Sequence, residues 1–145
     1  MGKVVAVCKS EATGTSKIPV ACGIFRVGHG LVGDSHAGLD RVREVSLLAL
    51  ESITRFNQKG YVFKPGDFAE NITTEGIELP LLPVGSRLEI GSEVVLEITQ
   101  IGKKCHLKCD IYKEVGRCIM PKEGVFAAVI MGGEMKQGDQ IKLTK

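Results

Sequence analysis

Short apolar runs recur along the chain, each cut off by glycine, proline or a polar turn residue, and several alternate apolar with polar positions. That is the period of a half-buried β-strand. The runs at 4–8, 18–27, 87–90, 94–101, 125–131 and 140–143 predict six strands. In LEIGSEVVLEI, Gly91 and Ser92 separate two of them, and a glycine first in a two-residue loop predicts an antiparallel hairpin with a type II′ turn. Gly132-Gly133 and Gly138-Asp139 are further turn signals around a closing strand, so the C-terminal segment is expected to pair rather than trail.

One stretch has another period. After Ser46, the apolar positions Leu47, Leu50, Ile53 and Phe56 fall at three-residue steps and Gly60 follows as a stop, which predicts a helix over residues 48–59. Its expected role is to cover one end or edge of the β-structure. With 18 glycines, frequent β-branched residues and no internal repeat or linker, the 145 residues read as one mainly β domain with few helices.

Composition narrows the class. At 43% hydrophobic and 25% charged residues the chain has the balance of a folded globular domain. A net charge of +2 from 19 basic and 17 acidic residues creates no broad field, and two Tyr, five Phe and no Trp offer little base-stacking surface. Neither a nucleic acid nor a membrane is therefore expected as a partner. The five-residue apolar stretch near the N-terminus is too short for a signal core, so the expected location is the cytoplasm. Five cysteines, an odd number, are expected to be free thiols there. Cys8 and Cys22 lie inside strand candidates and read as packing.

Candidate chemistry is densest over residues 100–121, QIGKKCHLKCDIYKEVGRCIMP, which hold three of the five cysteines, one of the three histidines and five basic residues. Because a strand is expected to end near Ile101, Cys105 should lie just past a strand end on a presented loop. Lys103, Lys104, His106 and Lys108 flank Cys105 and would favour its thiolate, able to bind a soft metal or to carry a sulfur atom as a persulfide. An inert buried cysteine is the bland alternative. A zinc site from Cys105, Cys109 and Cys118 with His106 is a looser pattern, one close pair plus a single cysteine. A second segment, GHGLVGDSHAG, brackets Asp34 and His36 with glycines that let backbone approach a ligand, although neither phosphate-loop spacing is present.

Five blocks together carry a resemblance: Lys17-x-Pro19-Val20; GDSHAG with Arg43-x-Val45-Ser46-Leu47-Leu48; PGDFAENITTEGI over residues 65–77; LPVGSRLEIG; and IGKKCH. In this order they resemble the MOSC domains, the family named for the C-terminal domain of molybdenum cofactor sulfurase, over about residues 17–143, and most closely its small stand-alone bacterial members. The resemblance implies a β-barrel-like core of antiparallel strands with a few helices, a hallmark cysteine and a link to the molybdenum cofactor (molybdopterin). It points to Cys105 as the thiol and metal ligand, with Cys109 as the other candidate, since the loop reads C-H-L-K-C where the larger amidoxime-reducing relatives have two cysteines closer together. The additional N-terminal domain of those relatives is not expected here.

Three roles are compatible with that resemblance. In the first, the domain binds the cofactor, or Cys105 accepts sulfane sulfur from a pyridoxal-phosphate-dependent cysteine desulfurase for a metal-sulfur centre. In the second, it is an oxidoreductase of N-hydroxylated compounds, with Lys17, Arg43 and His36 contacting a phosphate or a substrate. In the third, it is a non-catalytic partner of molybdenum cofactor biosynthesis proteins. Asp34, Ser46, Asn71, Lys104 and His106 complete the candidate cofactor-binding set; Asn71 would act through its amide, an asparagine in a turn being the plainer reading.

Overall fold

The computed structural model describes residues 2–10, 17–34, 44–101 and 124–144. Eleven strands occur among them: β1 (Gly2–Lys9), β2 (Ile18–Val20), β3 (Cys22–Arg26), β4 (Gly30–Leu31), β5 (Val45–Ala49), β6 (Ile72–Glu75), β7 (Arg87–Ile90), β8 (Val94–Ile101), β9 (Val125–Met131), β10 (Gly133–Lys136) and β11 (Gln140–Thr144). One α-helix, α1 (Leu50–Asn57), follows β5, and a short 3-10 turn spans Leu79–Leu81. The mainly β expectation holds.

Seven strands close into a barrel in the order β11-β7-β8-β9-β5-β6-β1, with β1 returning to β11 through Gly2 opposite Ile141. Every neighbouring pair is antiparallel except β5 with β6. Alternation decides which side chains fill the interior: Leu88 and Ile90 of β7, Val94, Leu96 and Ile98 of β8, and Val125, Ala127 and Val129 of β9 all point inward. Leu79 of the 3-10 turn joins the same core. A small second sheet, β10-β3-β4, lies alongside.

The structure revises several details of the sequence reading. The expected strand at 18–27 divides at Ala21 into β2, which pairs with β1, and β3, which belongs to the small sheet. The hairpin between β7 and β8 is antiparallel and Gly91 takes a positive φ of 63°, but Ile90 pairs with Val94, so the loop has three residues. The third, Glu93, leaves the strand because its carboxylate accepts the Glu134 N–H of β10 at 2.8 Å. The helix begins at Leu50, not at residue 48, and ends at Asn57. Leu47 and Leu48 belong to β5, which is buried on both faces: Val45, Leu47 and Ala49 fill the barrel while Leu48 faces outward. Nor does α1 cover an edge. Its Ile53 and Phe56 pack with Leu48, Phe68 and Phe126 on the outer barrel wall, where Phe56 stacks on Tyr61 at 5.1 Å and meets Phe68 edge-on at 5.5 Å.

Cys8 is buried, as a packing residue should be, but Cys22 is exposed on the outer face of β3. Its neighbour Gly23 faces inward, where a side chain would meet Leu31 and Val7.

Candidate functional site

Beside that aromatic layer, the outer wall of the barrel turns polar. Val7, Leu47 and Ile72 point into the barrel, so their chain neighbours Cys8, Ser46, Asn71 and Thr73 face outward, and a loop over residues 66–71 packs across them. Lys17, just ahead of β2, and Asp34, just after β4, meet here. Their side chains are 0% and 1% exposed, and the Lys17 ammonium donates to Asp34 Oδ1 at 2.8 Å. Asp34 Oδ1 also accepts the Ser10 N–H at 3.0 Å, and the Lys17 ammonium reaches the Ser10 hydroxyl at 3.4 Å. Burial pushes the Asp34 carboxyl up, but hydrogen bonds from Lys17, Ser10 and Asn71, with the Lys17 charge, outweigh it and hold the group below its ordinary range.

Asn71 ties three strands. Its Oδ1 accepts the Ser46 N–H at 3.1 Å and the Ser46 hydroxyl at 3.2 Å, its Nδ2 donates to the Cys8 carbonyl at 3.2 Å, and its own N–H is shared between the Ser46 carbonyl and hydroxyl, both at 3.0 Å. The amide thus holds β1, β5 and the start of β6 together and steadies Asp34. Lys17, Asp34, Ser46 and Asn71 form one connected buried network.

Several residues of this network were not candidates in the sequence. Ser10 and Thr73 hold neighbours by hydrogen bonds. Cys8 is a buried thiol pushed from 9.0 up to about 12, first by burial and then by the Glu70 carboxyl. That keeps it protonated and inert. Glu70 is fully buried: Oε2 accepts the Gly66 N–H at 3.0 Å and the Thr73 hydroxyl at 2.6 Å, while Oε1 has no hydrogen-bond partner among the described residues. A visible sequence signal was an acidic residue directly between the apolar Phe68-Ala69 and the candidate Asn71. Glu44, buried ahead of β5, accepts the Val129 N–H at 2.9 Å and continues the β5–β9 ladder with a side chain where the strand pairing stops.

His36, Arg43, Lys104, Cys105, His106 and Cys109 lie outside the described residues, as does Cys118 of the zinc pattern. β8 is described as far as Ile101, and Cys105 lies four residues beyond it, outside the described residues. No group of three metal-ligating side chains occurs among the described residues, and no helix among them is long and apolar enough to cross a membrane.

A closed, mainly β barrel carrying a buried polar network on its outer wall is the setting in which comparison becomes informative. Residues 33–142 match the MOSC domain family, and the chain belongs to it. That family is associated with the molybdenum cofactor. Among solved structures, the chain is similar to the YuaD protein from Bacillus subtilis, with a TM-score of 0.83 and 19% identity over 99% of this chain and 96% of that one. It is also similar to YiiM from Geobacillus stearothermophilus (TM-score 0.79, 17% identity, 100% of this chain and 76% of that one). YiiM from Escherichia coli gives 0.71 and 18% over 99% and 70%. At these identities the likeness is one of fold. No curated protein matches the chain by sequence.

The described residues fit the polar ends of the cofactor in kind, Lys17 with the Ser10 and Ser46 hydroxyls as donors for a phosphate and Asp34 with Asn71 for a pterin edge. But Lys17, Asp34, Ser46 and Asn71 are buried and bonded to one another, so they suit a scaffold behind a ligand better than its direct contacts.

Proposed function

We propose that this protein is a molybdenum-cofactor-handling module working through one reactive thiol, Cys105. Supporting this reading is the buried Lys17–Asp34 pair, locked by Ser10 and Asn71 on the outer barrel wall of a chain from a family associated with that cofactor. A buried ion pair is weak evidence for stability alone, since its desolvation offsets most of its attraction. Such a pair is better explained as a fixed scaffold that sets the segments around it for a polar ligand. The buried network of Lys17, Asp34, Ser46 and Asn71 would shape the wall that receives the phosphate and pterin edge, Arg43 would hold the phosphate, His36, Lys104 and His106 would flank the metal end, and Cys105 would be the thiolate ligand, with Cys109 as the other candidate. When bound, the cofactor would supply two-electron chemistry suited to reducing N-hydroxylated compounds; the chain's own part is to orient it and to exclude water.

The same thiol serves the sulfur-carrying role. The Cys105 thiolate would attack the terminal sulfur of a desulfurase persulfide, forming a new S–S bond at Cys105 as the donor's S–S bond breaks and its thiolate departs. A pyridoxal-phosphate-dependent cysteine desulfurase and molybdenum cofactor biosynthesis proteins are the expected partners, in the cytoplasm.

Elemental analysis of the native protein beside Cys105→Ser separates these readings. Stoichiometric molybdenum that disappears in the variant supports cofactor binding. Absence of molybdenum, together with cyanide-labile sulfur on Cys105 after incubation with desulfurase and cysteine, supports the carrier. Neither molybdenum nor labile sulfur would overturn the proposal, and zinc lost in the variant would replace it with a structural metal site.

A further inference from the structure

We infer that Glu70 is a positioning residue of this site, latching the loop over residues 66–71 onto Lys17 and thereby fixing the Lys17–Asp34 pair. The connection can be followed bond by bond. Glu70 Oε2 accepts the Gly66 N–H at 3.0 Å and the Thr73 hydroxyl at 2.6 Å, pinning the start of the loop to β6. The Gly66 carbonyl then accepts the Lys17 N–H at 2.7 Å and the Ala69 N–H at 3.0 Å. Gly66 has a φ of +91°, and a Cβ there would lie 2.2 Å from the Lys17 carbonyl oxygen, so loop and lysine backbone are in direct contact. The loop also carries strain: Ala69 holds a φ of 66°, a left-handed conformation that an L residue keeps only where its surroundings impose it. Glu70 follows it directly.

Whether Glu70 carries a charge decides how firmly the latch holds. Its Oε1 is buried without a hydrogen-bond partner among the described residues. Among the described residues, the titratable and charged groups near it are the Cys8 thiol of β1, the Asp67 carboxylate of its own loop, and Lys17, whose ammonium sits on Asp34. None offers Glu70 an ion pair. Burial therefore pushes its carboxyl up, the Gly66 and Thr73 hydrogen bonds opposing this only in part. Either form accepts the two bonds on Oε2, and the anion accepts them more strongly, but in the closed loop it is desolvated with no cation paired to it, and opening to water relieves that penalty. Ionisation of Glu70 therefore shifts the loop toward its open state by linkage, releasing Gly66 and then Lys17.

The inference rests on the proposed function only in treating the Lys17–Asp34 wall as the ligand site, and its test needs no ligand. In isotopically labelled full-length protein, the Glu70 carboxyl is titrated by 13C NMR, and hydrogen exchange at the Gly66 and Lys17 amides is followed across that titration, normalised to β8 amides. The expected results are a Glu70 carboxyl that titrates above the ordinary glutamate range and a normalised exchange rate that rises roughly tenfold or more in the wild type as it ionises. Glu70→Gln, which reproduces the neutral acid, should stay flat, and Glu70→Ala should exchange fast throughout. A Glu70 that titrates at or below the ordinary glutamate range, a Gln variant that follows the wild-type profile, or an Ala variant as protected as the wild type would each overturn the latch. If a variant does not fold, the wild-type carboxyl titration decides alone. Molybdenum content of the same protein bears only on the proposed function, so failure of that reading is seen separately.

Discussion

Lys17 and Asp34, side chains 0% and 1% exposed and 2.8 Å apart, have each other as charge partner. Removing either breaks a buried, hydrogen-bonded ion pair, at a cost of about 3–5 kcal/mol, whereas replacing both with apolar groups of similar volume removes the two charges together. Urea denaturation of Lys17→Met, Asp34→Leu and the double variant should therefore show two large single losses and a double loss well below their sum; simple additivity would mean that the pair is not coupled. Thr74 presents the opposite situation. Its hydroxyl is buried without a hydrogen-bond partner among the described residues, on a strand whose neighbours Val4 and Ala49 are apolar. Thr74→Val keeps the branched shape and deletes the orphaned group, so it should stabilise the fold by about 1 kcal/mol and raise Tm by roughly 2–4 °C. A lower Tm would show that the hydroxyl has a partner after all.

At the scale of elements, the outer layer of α1 and its aromatic neighbours turns β5 into a strand with two buried faces. Phe56 contacts Tyr61, Phe63 and Phe68 and is almost fully buried, so Phe56→Ala should cost about 3–5 kcal/mol in chemical denaturation; a cost below about 1 kcal/mol would mean that α1 is only loosely docked. The same double burial explains what the sequence concealed. Strands with one wet face, such as β7 with Arg87 and Glu89 outward and Leu88 and Ile90 inward, announce themselves by alternation, and each of the six runs read as strands contains strand, the run at 18–27 as two. β5 has no polar face, and its Leu47 happened to stand three residues before Leu50, so the helical period was extended back into it. β6, with Ile72, Thr73 and Thr74 all buried, gave no alternation either. The site was legible in part for a similar reason. Lys17, Asp34, Ser46 and Asn71 lie in blocks that resemble a family, and the fold brings them into one network; Ser10, Glu70 and Thr73 act through hydrogen bonds set by tertiary neighbours, which no local spacing reveals.

Across the whole molecule, three buried acids pull stability in different directions with pH. Asp34 is held low, so its contribution is present above its unfolded value of about 3.9 and is lost as pH falls through its lower native value. Glu70 is pushed up, so the stability of its neutral form is complete below an unfolded value of about 4.3 and drains away as pH rises through its native value. Cys8 adds a loss on the alkaline side, because the unfolded thiol ionises from about 9 while the native one waits until about 12. Exposed pairs such as Lys3–Glu75 contribute little to set against these. Of these three groups, Asp34 favours the native state as pH rises, whereas Glu70 and Cys8 favour it less as pH rises, so Glu70 contributes a decline on the neutral side of its unfolded value. Urea midpoints measured across the range for wild type and Glu70→Gln isolate the middle arm, since the glutamine keeps the acceptor for Gly66 and Thr73 and cannot ionise. The difference between the two proteins should grow from about pH 4 upward and then level off once native Glu70 has titrated. A difference that is constant with pH would show that Glu70 is ionised in neither state or in both alike, and its burial would then have no part in the pH response of the fold.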